Sequence, residues 1–157
     1  MNDTFNSLKI IDIIEGSLTE NMVEDTIQVD LIGEMEYHPA GGYVYICDQI
    51  VNGIRVLDAN PFSATYKRII YTLPLEADFI PEGTLAMTPR SLSFTPDGSK
   101  CLVTSYRTDL APPSRVIFTI GCSDPAAPTV LGRYHDAYFS TEYQEFLDVS
   151  PKGDRAI

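Results

Sequence analysis

One seven-residue motif occurs three times, and it constrains this chain more than any other feature. It reads Met-Glu-Tyr-His-Pro-Ala-Gly at 35–41, Leu-Ser-Phe-Thr-Pro-Asp-Gly at 92–98 and Leu-Asp-Val-Ser-Pro-Lys-Gly at 147–153. The prolines Pro39, Pro96 and Pro151 are 57 and then 55 residues apart. A near-constant period of this size marks an array of stacked units. Each copy carries two apolar residues two apart (Met35 and Tyr37, Leu92 and Phe94, Leu147 and Val149), the signature of one strand face in a core. The Pro-x-Gly step is a tight turn, with Gly supplying a positive φ. A second strand follows at Tyr43–Ile46, Lys100–Val103 and Arg155–Ile157, so every unit opens with a β-hairpin.

The second half of each unit repeats too. Gly53–Asp58 alternates apolar and polar and runs into Asn60-Pro61; Ser114–Ile120 does the same and runs into Asp124-Pro125. Ser7–Ile13 reads as an earlier copy without the Pro turn. Fourth strands are expected at Ile27–Ile32, Arg68–Leu73 and Thr129–Tyr134. The best helical stretch, Ser17–Asp25, lacks a sustained apolar stripe. The expected fold is therefore all-β, about three four-stranded antiparallel units' worth, with the first and last units split. Four antiparallel strands per unit is the blade of a β-propeller. The boundaries expected are 1–33 (end of one blade), 34–90, 91–146 and 147–157 (start of the next). Three units leave open sheet faces, so the reading is a propeller fragment whose partners are the remaining blades of a larger ring or a second copy of itself.

The residues at 94–103, Phe-Thr-Pro-Asp-Gly-Ser-Lys-Cys-Leu-Val, resemble the hairpin of YVTN-type propeller repeats. Those at 122–132, Cys-Ser-Asp-Pro-Ala-Ala-Pro-Thr-Val-Leu-Gly, resemble the related LVIVD repeats. The first copy departs from the pattern with Ala40 in place of Asp. The resemblance speaks to fold and says little of function. It implies an exported parent protein, extracellular or periplasmic. The N-terminus shows no basic and apolar leader pattern, which points the other way.

Composition narrows the partners. The formal net charge is −11, which argues against nucleic acid, because phosphate binding rests on clustered Lys and Arg. No apolar run approaches membrane-spanning length, so no membrane insertion is expected. The three cysteines (47, 101 and 122) have no nearby His and form no C-x-x-C pair, so a zinc site or thiol nucleophile is not expected. Cys101 fills the repeat position of Val44 and Ala156 and reads as a buried small hydrophobe. No cofactor is expected; the acidic balance leaves a divalent cation as the ion to test.

In such a fold the connections from second to third strand of a unit, and from fourth strand to the first strand of the next unit, share one end of the central channel, and loops on a rigid scaffold carry function. The second unit gains seven residues between its second and third strands, in the loop 106–113. The connections 75–90 and 135–145 are long and polar. The candidate ligand-binding residues are therefore Asp48, Arg90, Tyr106, Arg107, Asp109, His135 and Asp136. Arg90, just before a first strand, is the candidate anion contact. His135 beside Asp136 is a general-base pair on paper, although adjacent residues rarely hold that geometry. Glu34 and Glu36 alternate on a strand and are expected to face outward, and His38 reads as a turn residue. The leading functional reading is a binding or interaction module for a protein or small-molecule ligand. The alternative is a propeller enzyme, lactonase-like or cofactor-dependent dehydrogenase-like.

Overall fold

The computed structural model describes residues 7–11, 15, 18, 20, 22–29, 31–79, 83–107, 114–135 and 147–156. These form twelve strands and, among the described residues, no helix. Strands β1 (Ser7–Ile11) and β2 (Val23–Gln28) pair as a hairpin. Then β3 (Ile32–Tyr37), β4 (Tyr43–Asp48), β5 (Gly53–Asp58) and β6 (Ile69–Pro74) make a four-stranded antiparallel sheet in chain order. A short hairpin of β7 (Glu76–Phe79) and β8 (Gly83–Ala86) follows. A second four-stranded sheet contains β9 (Thr88–Phe94), β10 (Lys100–Arg107), β11 (Ser114–Gly121) and β12 (Thr129–His135). Beyond it Val149 pairs with Ala156. The chain is an arc of a β-propeller: half a blade, two whole blades and the opening hairpin of another.

The repeated motif dictates the inner turn of each blade. The residue before each proline bridges the turn: His38 N–H donates to Tyr43 O (2.9 Å), Thr95 N–H to Lys100 O (2.9 Å) and Ser150 N–H to Arg155 O (2.8 Å). The turn closes with Gly98 N–H on Thr95 O and Gly153 N–H on Ser150 O, both at 2.8 Å. Gly98 and Gly153 have φ of 68° and 71°, the left-handed region that a Cβ disfavours.

Alternation sends one face of each strand into the main core, which lies between the two whole sheets. Tyr45, Cys47, Ile54, Val56 and Leu73 meet Leu92, Phe94, Cys101, Val103, Val116, Phe118 and Ile120. Each large side chain buried there contributes about 1.5–3 kcal/mol of transfer free energy. A smaller core of Val44, Ile46 and Leu57 packs the opposite face of the first sheet on Leu8 and Ile27.

The structure departs from the sequence expectations in five places. The fourth strand of the first unit is Val23–Gln28, earlier than 27–32, because Ile32 opens β3 and Val29 is buried in the connection. Met35 and Tyr37, expected in the core, are 47% and 65% exposed, since among the described residues no strand stacks on their face. The connection after β6 is itself a hairpin whose Leu75, Ala77 and Met87 are fully buried. Glu34 and Glu36 reach the next blade: Glu34 Oε2 accepts from Ser91 Oγ–H and from Leu92 N–H (3.1 Å), and Glu36 accepts from the backbone of Phe94. Burial raises the Glu36 carboxyl above its ordinary value, and Glu34 and Asp148 add like charge. The same link recurs one blade on, where Leu147 N–H donates to Ser91 Oγ (3.1 Å).

His38 is likewise more than a turn residue. Its ring is buried, Nδ1 accepts from Ala40 N–H (3.2 Å), and so Nε2–H donates to Gly98 O (2.9 Å) in the neighbouring blade.

All three cysteines are buried and free. Burial pushes the Cys122 thiol up to about 11, raises Cys47, and holds Cys101 well above its ordinary value of 9.0. The unfolded thiols ionise near 9.0 while the folded ones keep their protons. The resulting stability is intact below pH 9 and falls as pH rises toward 11 and beyond. Denaturant titrations between pH 8 and 11 are expected to show that fall. A thiol reagent at pH 8 should label none of the cysteines before unfolding, and rapid labelling of the native chain would contradict the packing.

Candidate functional site

Strand direction gathers the candidate residues. The ends of β4 and β10, the starts of β5 and β11, the ends of β6 and β12 and the starts of β3 and β9 all lie at one end of the arc. That end is held together by specific contacts. Asn52 O accepts Leu75 N–H (2.9 Å), and Asn52 Oδ1 accepts from Thr88 Oγ1 (2.8 Å), tying the β4–β5 turn to the β8–β9 connection. Asn52 has φ of 52°. The Asn52-Gly53 dipeptide is the sequence signal for such a turn, yet neither Asn52 nor Thr88 was a sequence candidate.

Asp48 ends β4 and is fully buried. Its Oδ1 accepts from Ile50 N–H (3.0 Å) and Val51 N–H (3.1 Å). Its Oδ2 lies 3.0 Å from Arg55 Nε, a charge contact rather than an aligned hydrogen bond. Asp48 is thus spent on organising the β4–β5 turn.

Arg90 sits inside β9, at the irregularity where the β9–β10 register shifts between Ser91–Thr104 and Pro89–Ser105. That bulge frees its side chain to lie over the Tyr106 ring, 4.6 Å from guanidinium carbon to centroid. The Arg90 carbonyl lies close beside Gly33, whose missing Cβ would fall 2.5 Å from it. Tyr106 faces Arg115 across the β10–β11 ladder, and Arg107 Nη1 donates to Ala86 O (2.8 Å). So Arg90, Tyr106 and Arg115 neighbour one another on a strongly acidic chain, while Arg107, the next residue along β10, turns to the other face of the sheet and to β8. His135 ends β12, opposite Val116. Asp109 and Asp136 lie outside the described residues.

Among the connection residues, Asp78 takes a hydrogen bond from Thr84 Oγ1 (2.5 Å) and stands 3.6 Å from Arg133 Nη1. Among the described residues no three His, Cys, Asp or Glu side chains cluster as a metal site, and no helix is long and apolar enough to cross a membrane.

No family model matches the sequence, and no curated protein matches it either. Solved structures do match. The β-propeller domain of Cps50 (Swd1) from Myceliophteria thermophila superposes with a TM-score of 0.61 at 11% identity, over 93% of this chain and 41% of that one. A protein described as a 6-phosphogluconolactonase from Bacteroides uniformis superposes with a TM-score of 0.57 at 10% identity, over 91% of this chain and 38% of that one. These likenesses show the fold. This chain spans about two fifths of the length of each.

Proposed function

We propose that this chain is a binding module of a larger propeller, of the YVTN/LVIVD kind. In this reading its blade ends hold an anionic group of a protein partner or small ligand. One observation carries the reading. Arg90 is half-buried and stacked on Tyr106, and among the described residues it has neither an ion-pair nor a hydrogen-bond partner. The chain carries 22 acidic and 11 basic residues, and this guanidinium meets an aromatic face instead of a carboxylate. A guanidinium fixed on an aromatic face offers its planar fork to a carboxylate or phosphate with little further ordering.

Succinate and a hexaglutamate peptide, titrated against the amide resonances of residues 88–107, test this. Arg90→Ala should weaken the response about tenfold, a loss of about 1.4 kcal/mol, close to the lower end for hydrogen bonds to charged groups. Arg90→Lys should fall between, because an ammonium keeps the charge and loses the fork. Equal titrations for wild type and Arg90→Ala would remove the proposal.

A further inference from the structure

The inner strand of a blade leaves backbone donors open. Among the described residues β9 pairs with β10 alone. Thr95 N–H turns inward to Lys100 O (2.9 Å), so by alternation the N–H groups of Phe94 and Leu92 turn outward, away from β10. They are two residues apart and meet the preceding blade. Glu34 and Glu36 on β3 are also two apart, and each answers one of them. Glu34 Oε2 accepts the Leu92 N–H (3.1 Å), and Glu36 accepts that of Phe94. Two carboxylate rungs therefore close the seam between the two whole blades.

The rungs are unlike. Glu34 is exposed and also takes the Ser91 hydroxyl. Glu36 is half-buried and meets like charge from two elements: Glu34 on its own strand and Asp148 on the hairpin beyond the second sheet. Other titratable groups surround it. Cys101 on β10 and Tyr45, its partner on β4, are both buried. His38, two residues along β3, spends its ring on Gly98 O and Ala40 N–H. Lys9, Asp58 and Lys67 share a groove with Glu36, and Lys67 is paired with Glu24 (3.2 Å). Burial, the largest influence, and the two anions favour the neutral carboxyl of Glu36; the Phe94 N–H favours the charged one. A neutral carboxyl still accepts at its carbonyl oxygen.

We infer that the seam between the two whole blades is a clasp that a proton on Glu36 tightens. The neutral side chain keeps the Phe94 rung and loses its repulsion from Glu34 and Asp148. The ionised one holds the same rung against both. The carboxyl binds its proton more firmly in the folded chain than in the unfolded one, where its value is 4.5. Its contribution is full below pH 4.5 and is lost as pH rises through the folded value. Asp58 and Asp97 work the other way. Both are held below 3.8, so their contribution falls only as pH drops through those lower values. Between pH 5 and neutrality neither opposes Glu36, and the joint is tightest in mildly acid surroundings.

Hydrogen exchange of the Phe94 amide tests this, with each rate divided by that of unstructured chain at the same pH. Protection of Phe94 in the wild-type chain should rise at least about threefold from pH 7.5 to pH 5. Glu36→Gln keeps an oxygen for the Phe94 N–H and carries no charge. Its Phe94 protection should match the acid wild-type value and change less than about twofold over the same range. His38 is common to both proteins, so its own titration cancels in the comparison. By circular dichroism Glu36→Gln should melt above wild type at pH 7.5 and level with it at pH 5. Wild-type protection that is flat, or that falls toward pH 5, would overturn the inference. So would a Glu36→Gln chain that keeps the wild-type pH dependence, or that melts below wild type at pH 7.5.

Discussion

Cys101→Asp is expected to abolish the cooperative melt, while Cys101→Val melts within a few degrees of wild type. Cys101 lies on β10, paired with Phe94 and Ile120, and is wholly buried between the two sheets. Its thiol has only a long contact, 3.5 Å, to Leu102 O. An aspartate there would lose its hydration and gain no cation. Glu36, one source of the upward push on the thiol, would add like charge. Burying an uncompensated carboxylate costs several kcal/mol, a large part of the roughly 5–15 kcal/mol that holds an ordinary domain together. Valine is close in volume and apolar, and such swaps cost less than about 1.5 kcal/mol. Circular dichroism melts at pH 7 compare the two. Acidification should partly restore Cys101→Asp, since a protonated side chain removes the buried charge. An aspartate variant that melts like wild type would show that this position is not in the core.

Gly98→Val is expected to destabilise by about 3 kcal/mol, from two separate causes. At φ of 68° a β-branched residue is strained by about 1–2 kcal/mol. The new Cβ would also lie 2.8 Å from His38 Cε1 and 3.0 Å from Nε2. The ring must therefore move and give up its bond to Gly98 O, which joins two blades. Denaturant unfolding of a double-mutant cycle separates the causes. In a His38→Ala background the clash is absent, so Gly98→Val should there show the backbone strain alone. Equal costs in both backgrounds would mean that the two blades do not meet at this turn.

The architecture was legible because its signals are local and threefold. The Pro-x-Gly turns and the alternation around Val44, Cys101 and Ile54 locate the hairpins and the paired strands to within a residue or two. What escaped reading is what depends on the neighbouring blade. Nothing local separates Met35 from Leu92, yet one is open and the other buried, because burial on a blade face is decided by the sheet stacked on it. Glu34 and Glu36 alternate as outward residues should, but outward from one blade is toward the next. The 75–90 connection looks polar in composition, and its Leu75, Ala77 and Met87 only acquire meaning once they cap the core between the sheets. The candidate site divides similarly. Arg90 could be singled out as lying near the start of a first strand, although it falls inside β9 and not before it. Its stacking on Tyr106 depends on a register shift that the sequence does not announce, and Asp48 could not be distinguished from a turn-capping carboxylate.

The linkage from Glu34 through Ser91 to Leu147 has a direction. Ser91 gives its hydroxyl proton back to Glu34 and takes the Leu147 N–H on its lone pair, so every donated hydrogen points toward the earlier blade. Such a line is homodromic, and its members polarise one another in the same sense. A serine can stand anywhere along it, since it both gives and receives. Glu34 accepts from both Ser91 and Leu92 and stands at the end toward which the line points. Glu34 therefore gives this arc an electrostatic first blade, and its two four-stranded blades are not interchangeable.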